Sequence, residues 1–231
     1  MFTAMLSVAL VFFLAAEAAE EGASLFDGKT FAGWEGNLDW FRIEDGAIVA
    51  GTLEKPIPQN EFLTTKESYG DFELRLKVKL LGELVPAGAV TMDINDDGLE
   101  EEVPFYRRID TNAGVQIRSQ RIPNHHEMVG YQADLGQQYW GCLYDESRRN
   151  KVLAGPDQET IDRLVVKDDW NEYVIRCEGP RIQLWLNGEQ TVDYTEPDPE
   201  IPQTGLIGLQ IHSGPPAEAW YKDIVLKPIS H

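Results

Sequence analysis

The sequence predicts an all-β fold, a β-sandwich. Three observations carry that expectation. About a dozen short segments alternate apolar and polar residues as half-buried strands do. Turn signals recur about every 8–12 residues between them. No long segment repeats with the period of a helix; the best helical candidate is a short piece near 157–164. Strands without crossover helices build sandwiches rather than α/β folds.

The chain has 231 residues, 42% of them hydrophobic, and a formal net charge of −19 with a pI near 4.5. A surface of that charge repels nucleic acid and anionic membranes, so neither is an expected partner. The opening stretch carries an apolar run from Met5 to Ala16 and then Ala16-Glu17-Ala18, a small-x-small cleavage pattern. Residues 1–18 are therefore read as a signal peptide, though no Lys or Arg precedes the run. The run is too short for a membrane span. Export follows, periplasmic or extracellular, with a single domain over 24–231. An apolar N-terminal helix packed on that domain is the competing reading of the same run.

In chain order, Trp40 to Gly51 reads as strand, Asp45-Gly46 turn, strand. Phe72, Leu74, Leu76, Val78 and Leu80 alternate with Glu73, Arg75, Lys77 and Lys79, which predicts a strand with one buried and one solvated face. Ala87 to Met92 reads as a further strand. The carboxylate-rich stretch from Asp93 to Glu102 reads as a loop. Asp93, Asn95 and Asp97 with Gly98 match the first positions of a calcium loop, but its twelfth position is Pro104 rather than Glu. Trp170 to Tyr194 reads as three strands with an Asn187-Gly188 hairpin, and Gly205 to His212 as an apolar strand. Cys142 and Cys177 are candidates for a disulfide or for two buried thiols; no Cys/His spacing suggests zinc.

The stretch from Asn112 to Glu146 concentrates the chemistry. Val115 and Ile117 alternate with Gln116 and Arg118; Tyr131, Ala133 and Leu135 alternate with Gln132 and Asp134. Successive strand side chains face opposite sides, so each strand offers one core row and one polar row. Gln210 and His212 continue the polar row on a third strand. Amides, a guanidinium, a carboxylate and an imidazole on one curved face suit a hydroxyl-rich ligand. Tyr139 and Trp140 are candidate stacking platforms for it.

Several motifs resemble one family. Leu25-Phe26-Asp27-Gly28-Lys29 with Gly33-Trp34 does so, as do Asn112-x-Gly114-Val115-x-Ile117-Arg118-Ser119, Gly130-Tyr131-Gln132-Ala133-Asp134 and Gly141-x-Leu143-Tyr144-Asp145. So do Asp169-Trp170-Asn171-Glu172-Tyr173, Trp185-Leu186-Asn187-Gly188, and Gly205 to Gly214 with Tyr221-Lys222-Asp223-Ile224. Together they resemble the 3-keto-disaccharide hydrolase family over about residues 24–229. The resemblance implies a concanavalin A-like jelly roll of two curved antiparallel sheets, ligand on the concave face, and action on glycosides oxidised at C3.

No strand carries the evenly spaced carboxylates that would flank a glycosidic bond in the two-carboxylate mechanism. A 3-keto sugar needs less, because the ketone acidifies the hydrogen on C2. One base removes that hydrogen, the aglycone leaves C1 by β-elimination, and water can add afterwards. On this reading His212 or Asp134 is the base, Arg118 polarises the C3 oxygen, and Glu127 or Tyr131 is the acid. Gln116, Gln132, Tyr131, Gln210, Tyr139 and Trp140 hold the substrate. His125, His126 and Glu127 are the candidate ligands for a catalytic divalent ion, alongside structural calcium at the acidic loop. The alternative functions are a non-catalytic carbohydrate-binding module and a surface adhesion domain.

Overall fold

The computed structural model describes residues 22–82, 90–94, 100–104 and 111–230, with backbone alone given for 90–94 and 100–104. The signal-peptide expectation for 1–18 falls outside them, as do Asn95 and Asp97 of the candidate calcium loop. Asp93 is within them, but its side chain is not described.

The described residues form a sandwich of two antiparallel sheets, with strands numbered β1 to β17 in chain order. The back sheet runs, in spatial order, β15 (Glu189–Thr195), β14 (Arg181–Leu186), β13 (Asn171–Glu178), β6 (Phe72–Gly82), β17 (Ala217–Pro228), β4 (Ala47–Thr52) and β3 (Phe41–Glu44). The short β1 (Ala23–Ser24) also pairs with β17. The front sheet runs β12 (Lys151–Ala154), β11 (Leu143–Glu146), β10 (Met128–Gly136), β9 (Asn112–Arg121), β16 (Leu206–Ile211), β5 (Glu61–Thr65) and β2 (Trp34–Gly36). A separate two-stranded ribbon pairs β7 (Val90–Ile94) with β8 (Glu100–Pro104). This ribbon corrects the reading of Asp93 to Glu102 as all loop: Glu100, Glu101 and Glu102 stand in register with Ile94, Asp93 and Met92.

The alternation along β6 is realised as expected, its apolar row buried and its charged row facing out. That row packs against the inward rows of β9, β10 and β16. Val115, Ile117, Ala133, Leu135, Leu209 and Ile211 are all fully buried in one core with Leu74, Leu76 and Val78. The Asp45-Gly46 turn joins β3 to β4 with both residues at positive φ (48° and 72°), the geometry that a tight hairpin requires. The one helix among the described residues, α1 (Gln158–Leu164), is capped by Asp157, whose carboxylate accepts from the Thr160 N–H. Strand β5 has no sequence signature, since all five of its residues are buried and none alternates.

Cys142 and Cys177 are free and buried, so no disulfide links them. Burial pushes both thiols up to about 12, which keeps them from acting as nucleophiles at neutral pH. No helix among the described residues is long and apolar enough to cross a membrane.

Candidate functional site

The outward rows of the front sheet meet above two glycines. In the pairing register, Gln132 lies between Gln116 and Tyr144, while Gly114 lies between Asp134 and Gln210. Gly208 stands opposite Gln116 on the other side. With no side chain at 114, the Gln132 amide folds over that position; a Cβ there would come within 2.4 Å of the Gln132 Cδ. The glycines thus lower the floor, and longer side chains from β10, β11 and β16 converge over it.

One hydrogen-bonded ladder crosses this floor. The Ser119 hydroxyl donates to Gln116 Oε1 (2.6 Å), Gln116 Nε2 donates to Gln132 Oε1 (2.7 Å), and Gln132 Nε2 donates to Asp134 Oδ1 (2.7 Å). All four residues are buried. Because each amide gives its N–H onward, the ladder has a direction and ends on a carboxyl. Burial, reinforced by the charge of Glu146, holds Asp134 well above the usual carboxylate range, against the hydrogen bonds from Gln132 and Asn112.

Glu146 sits at the end of β11 on the same outward row as Tyr144. Burial and the negative charge of Glu127 push its carboxyl up to about 7, only partly offset by the Ser147 N–H and the Gln210 side chain. A carboxyl with that poise exchanges its proton near neutral pH, as a general acid or base must. The Gln210 amide is fully buried, and neither Nε2 nor Oε1 has a hydrogen-bond partner of ordinary geometry. Its side chain nonetheless helps to lower the Glu146 carboxyl. A buried amide with both ends unsatisfied costs free energy unless a ligand completes it.

Glu127 arrives from the loop between β9 and β10, which is tied across the sheet. Asn60 Nδ2 donates to Glu127 Oε1 (2.9 Å), His126 Nε2 lies 3.3 Å from the same oxygen, and Glu127 Oε2 is buried without a partner. Asn60 Oδ1 in turn accepts from the Ser213 N–H (2.8 Å). Beside it, His212 Nδ1 is 2.7 Å from Ser213 O. A ring nitrogen facing a carbonyl carries the proton, which leaves His212 Nε2 as an acceptor.

Six of the sequence candidates therefore gather on this face or on the loop above it: Gln116, Gln132, Asp134, Gln210, His212 and Glu127. His212 and Asp134 share the face without touching. Two strand spacings and two residues of register part them, roughly 12 Å between Cα atoms. Arg118 is a correction. The pairing of β9 slips between Ile117 and Gln120, and Arg118 takes a positive φ of 49°. This bulge turns its guanidinium away from Gln116 and into the end of the sandwich. There it donates to Gly70 O (2.9 Å), Gly179 O (2.6 Å) and Asp71 Oδ1 (2.7 Å). Ser119 takes the place on the polar row that strict alternation gave to Arg118.

Tyr131 is also a correction. It lies on the core row, and its hydroxyl donates to Glu196 Oε2 (2.6 Å). Trp140 is buried and stacks on Tyr173 with ring centroids 6.3 Å apart, so it is core rather than platform. Tyr139 is half-buried in the β10–β11 turn, so it offers only part of its ring to a ligand. The rings of His125 and His126 stack at 4.4 Å, and the Glu127 N–H donates to His125 Nδ1 (3.1 Å), so the three do not converge on one point. Among the described residues, no group of three or more His, Cys, Asp or Glu is arranged to hold a metal ion.

Sequence reasoning missed Glu146, Tyr144, Asn60 and Asn112. The signal for the first two was present: Leu143 and Asp145 face the core, so Tyr144 and Glu146 must face out. The acidic Asp145 on the core row disguised the alternation.

Three structures similar to this one are carbohydrate-active or carbohydrate-binding by name. A glycosyl hydrolase candidate from Parabacteroides distasonis superposes with a TM-score of 0.60 at 16% identity, over 93% of this chain and 97% of that one. The carbohydrate-binding module CBM66 from Bacillus subtilis gives 0.55 at 12% identity, over 84% and 95%. The β-glucanase of Bacillus licheniformis gives 0.53 at 9%, over 90% and 97%. At such identities the likeness establishes the jelly-roll fold. No curated protein matches the chain in sequence. The sequence pattern of the 3-keto-alpha-glucoside-1,2-lyase-like domain matches residues 21–227, nearly the whole chain, and the protein belongs to that family.

Proposed function

We propose that this protein cleaves the glycosidic bond of 3-keto-glycosides, with Glu146 as the proton-transferring group. The observation that carries this reading is the pairing of a carboxyl poised near 7 with a buried, unsatisfied amide, Gln210, on the same floor. In the ionised form Glu146 takes the proton from C2. The C–H electron pair moves to the C2–C3 bond, and the carbonyl pair moves onto O3. Gln210 Nε2 donates to the developing enolate oxygen, the role first assigned to Arg118. Collapse of the enolate forms the C1–C2 double bond and expels the aglycone oxygen, which takes a proton from Asp134, whose carboxyl burial pushes well above the usual carboxylate range. Addition of water across that double bond completes a net hydrolysis; release before addition makes the reaction a lyase. His212 Nε2 and Glu127 Oε2 accept from sugar hydroxyls.

Export with loss of residues 1–18 is part of the proposal and rests on the apolar run from Met5 to Ala16.

The test compares release from a chromogenic 3-keto-glucoside with release from its unoxidised parent, for wild type and Glu146→Gln. Turnover of the keto substrate alone, falling about 100-fold or more in the variant, supports the reading. Saturable sugar binding without release from either substrate makes the chain a binding module instead, the reading that the likeness to CBM66 favours. A variant as active as wild type removes Glu146 from the chemistry.

A further inference from the structure

The edge of the back sheet carries a cleft that the proposed reaction leaves unused. It opens where β3 and the end of β4 meet the loops at 37–40 and 52–55. Its volume is about 540 Å³, within the usual range of small-molecule sites. Four large apolar side chains stand exposed among the described residues, and two of them, Leu38 (52%) and Leu53 (45%), line this cleft. Trp40, half-buried, adds an indole to the same lining. Exposed apolar groups gathered at a concave surface mark a place that a ligand covers.

The polar lining is of two kinds. Arg42 is committed: its Nη1 donates to Gly51 O (3.1 Å), its Nε to Glu44 (2.8 Å) and its Nη2 to Glu218 (2.7 Å). Glu218 also accepts from Trp220 Nε1 (3.0 Å), so this part of the lining is fixed before any ligand arrives. The carboxylates of Asp39 and Glu54 are exposed and have no hydrogen-bond or ion-pair partner among the described residues. The Lys55 ammonium meets only the Trp40 ring, 4.8 Å from its centroid.

These charges restrict the occupant. An anion in the cleft would face Asp39 and Glu54; a cation would face Lys55 and Arg42. A neutral ligand that donates to the carboxylates and accepts from the ammonium satisfies both signs. It must also offer an apolar face to the indole and the two leucines. A pyranose ring combines these properties, with hydroxyls around its edge and C–H groups on its faces. We propose that this cleft is a second, non-catalytic site that holds a neutral sugar ring. The C–H face lies on Trp40, in the place that Lys55 covers, and the hydroxyls bond to Asp39, Glu54 and Lys55. The cleft shares no residue with the floor that carries Glu146 and Gln210, so a glycan held here leaves that floor open to its own substrate. The proposal goes beyond the reaction and does not depend on it.

Titration calorimetry with neutral trisaccharides (maltotriose, cellotriose and laminaritriose) tests it, beside the anionic galacturonate trimer and the cationic glucosamine trimer. The expected result is saturable binding of at least one neutral trisaccharide, with both charged trimers weaker. Trp40→Ala should weaken that binding about tenfold, as the loss of a stacking face does. Because Trp40 also packs against the core, a second variant is needed. Asp39→Ala/Glu54→Ala removes only exposed side chains and should weaken binding about tenfold as well, with turnover of a 3-keto-glucoside unchanged. Binding of none of the neutral trisaccharides overturns the proposal. So does binding that both variants leave intact, which would put the sugar on the front sheet. A charged trimer that binds tighter than every neutral one overturns the assignment of the ligand, and a parallel fall in turnover overturns the non-catalytic role. Since these trisaccharides carry no ketone, the titration reports on the cleft whether or not the proposed reaction holds.

Discussion

Asp145 and Glu146 are neighbours on one strand and live in opposite electrostatic worlds. Asp145 points into the sandwich, its side chain fully buried, and meets Arg148 and Arg149. Arg149 continues to Glu196 at 2.6 Å, and Glu196 also accepts from the Tyr131 hydroxyl. Burial alone would raise Glu196, but the bonds from Arg149 and Tyr131 outweigh it and hold the carboxyl at about 2. Glu146, one residue on, meets carboxylates and an amide instead of guanidinium groups, and its carboxyl rises to about 7. The first arrangement holds charges in place; the second keeps a proton available. What separates them is the face of the strand, not the residue type.

That contrast can be broken at either member, and the larger effect belongs to the inner one. Asp145→Asn leaves two arginines without their shared partner. Both are about a quarter exposed (24% and 26%), so water recovers part of the loss. The expected cost is about 2–4 kcal/mol, seen as a melting temperature roughly 5–10 °C lower. A variant that melts with wild type would show the inner cluster to be ornamental. Glu146→Gln acts in the other direction. A carboxyl whose folded pKa lies above its unfolded value binds more protons in the folded state. Stability is therefore lost as pH rises from about 4.5, the ordinary glutamate value, through about 7. Glu146→Gln should flatten this part of the curve and melt higher than wild type at pH values above that window. Parallel curves for the two proteins would remove the burial argument for Glu146. The smallest effect is expected at the head of the amide ladder. Ser119→Ala deletes the donor to Gln116 but leaves Gln116 and Gln132 bonded to each other, at a cost of about 1 kcal/mol by denaturant titration.

Much of this was legible in the chain. Alternation along β6, β10 and β16 gave the sheets, and it placed Gln132, Asp134 and Gln210 on one face. Asn187-Gly188 and Asp45-Gly46 located hairpins that the structure realises. Three kinds of information were not in the alternation. The bulge at Arg118 shifts the phase of β9 by one residue, so the residue that looked like the site's cation became a clamp at the end of the sandwich. The poise of Glu146 depends on Glu127, nineteen positions away by number and brought near only by a folded-back loop. The pairing of Tyr131 with Glu196 joins residues 65 apart, and no local pattern announces it.

The bulge also bears on how this chain tolerates change in length. A left-handed arginine inside a strand costs on the order of 1 kcal/mol in backbone strain, and its three partly buried hydrogen bonds offset that cost. Deleting one residue at 118 would restore unbroken pairing with β10 and β16, yet it would remove the clamp and draw the loop that bears Glu127 one step back along the sheet. Losses and gains of single residues are therefore filtered most strictly within β9. The exposed turn at Pro123 and Asn124, just beyond it, can vary without disturbing that phase. In a library built for altered specificity, length variation belongs in that turn and side-chain variation belongs on the sheet.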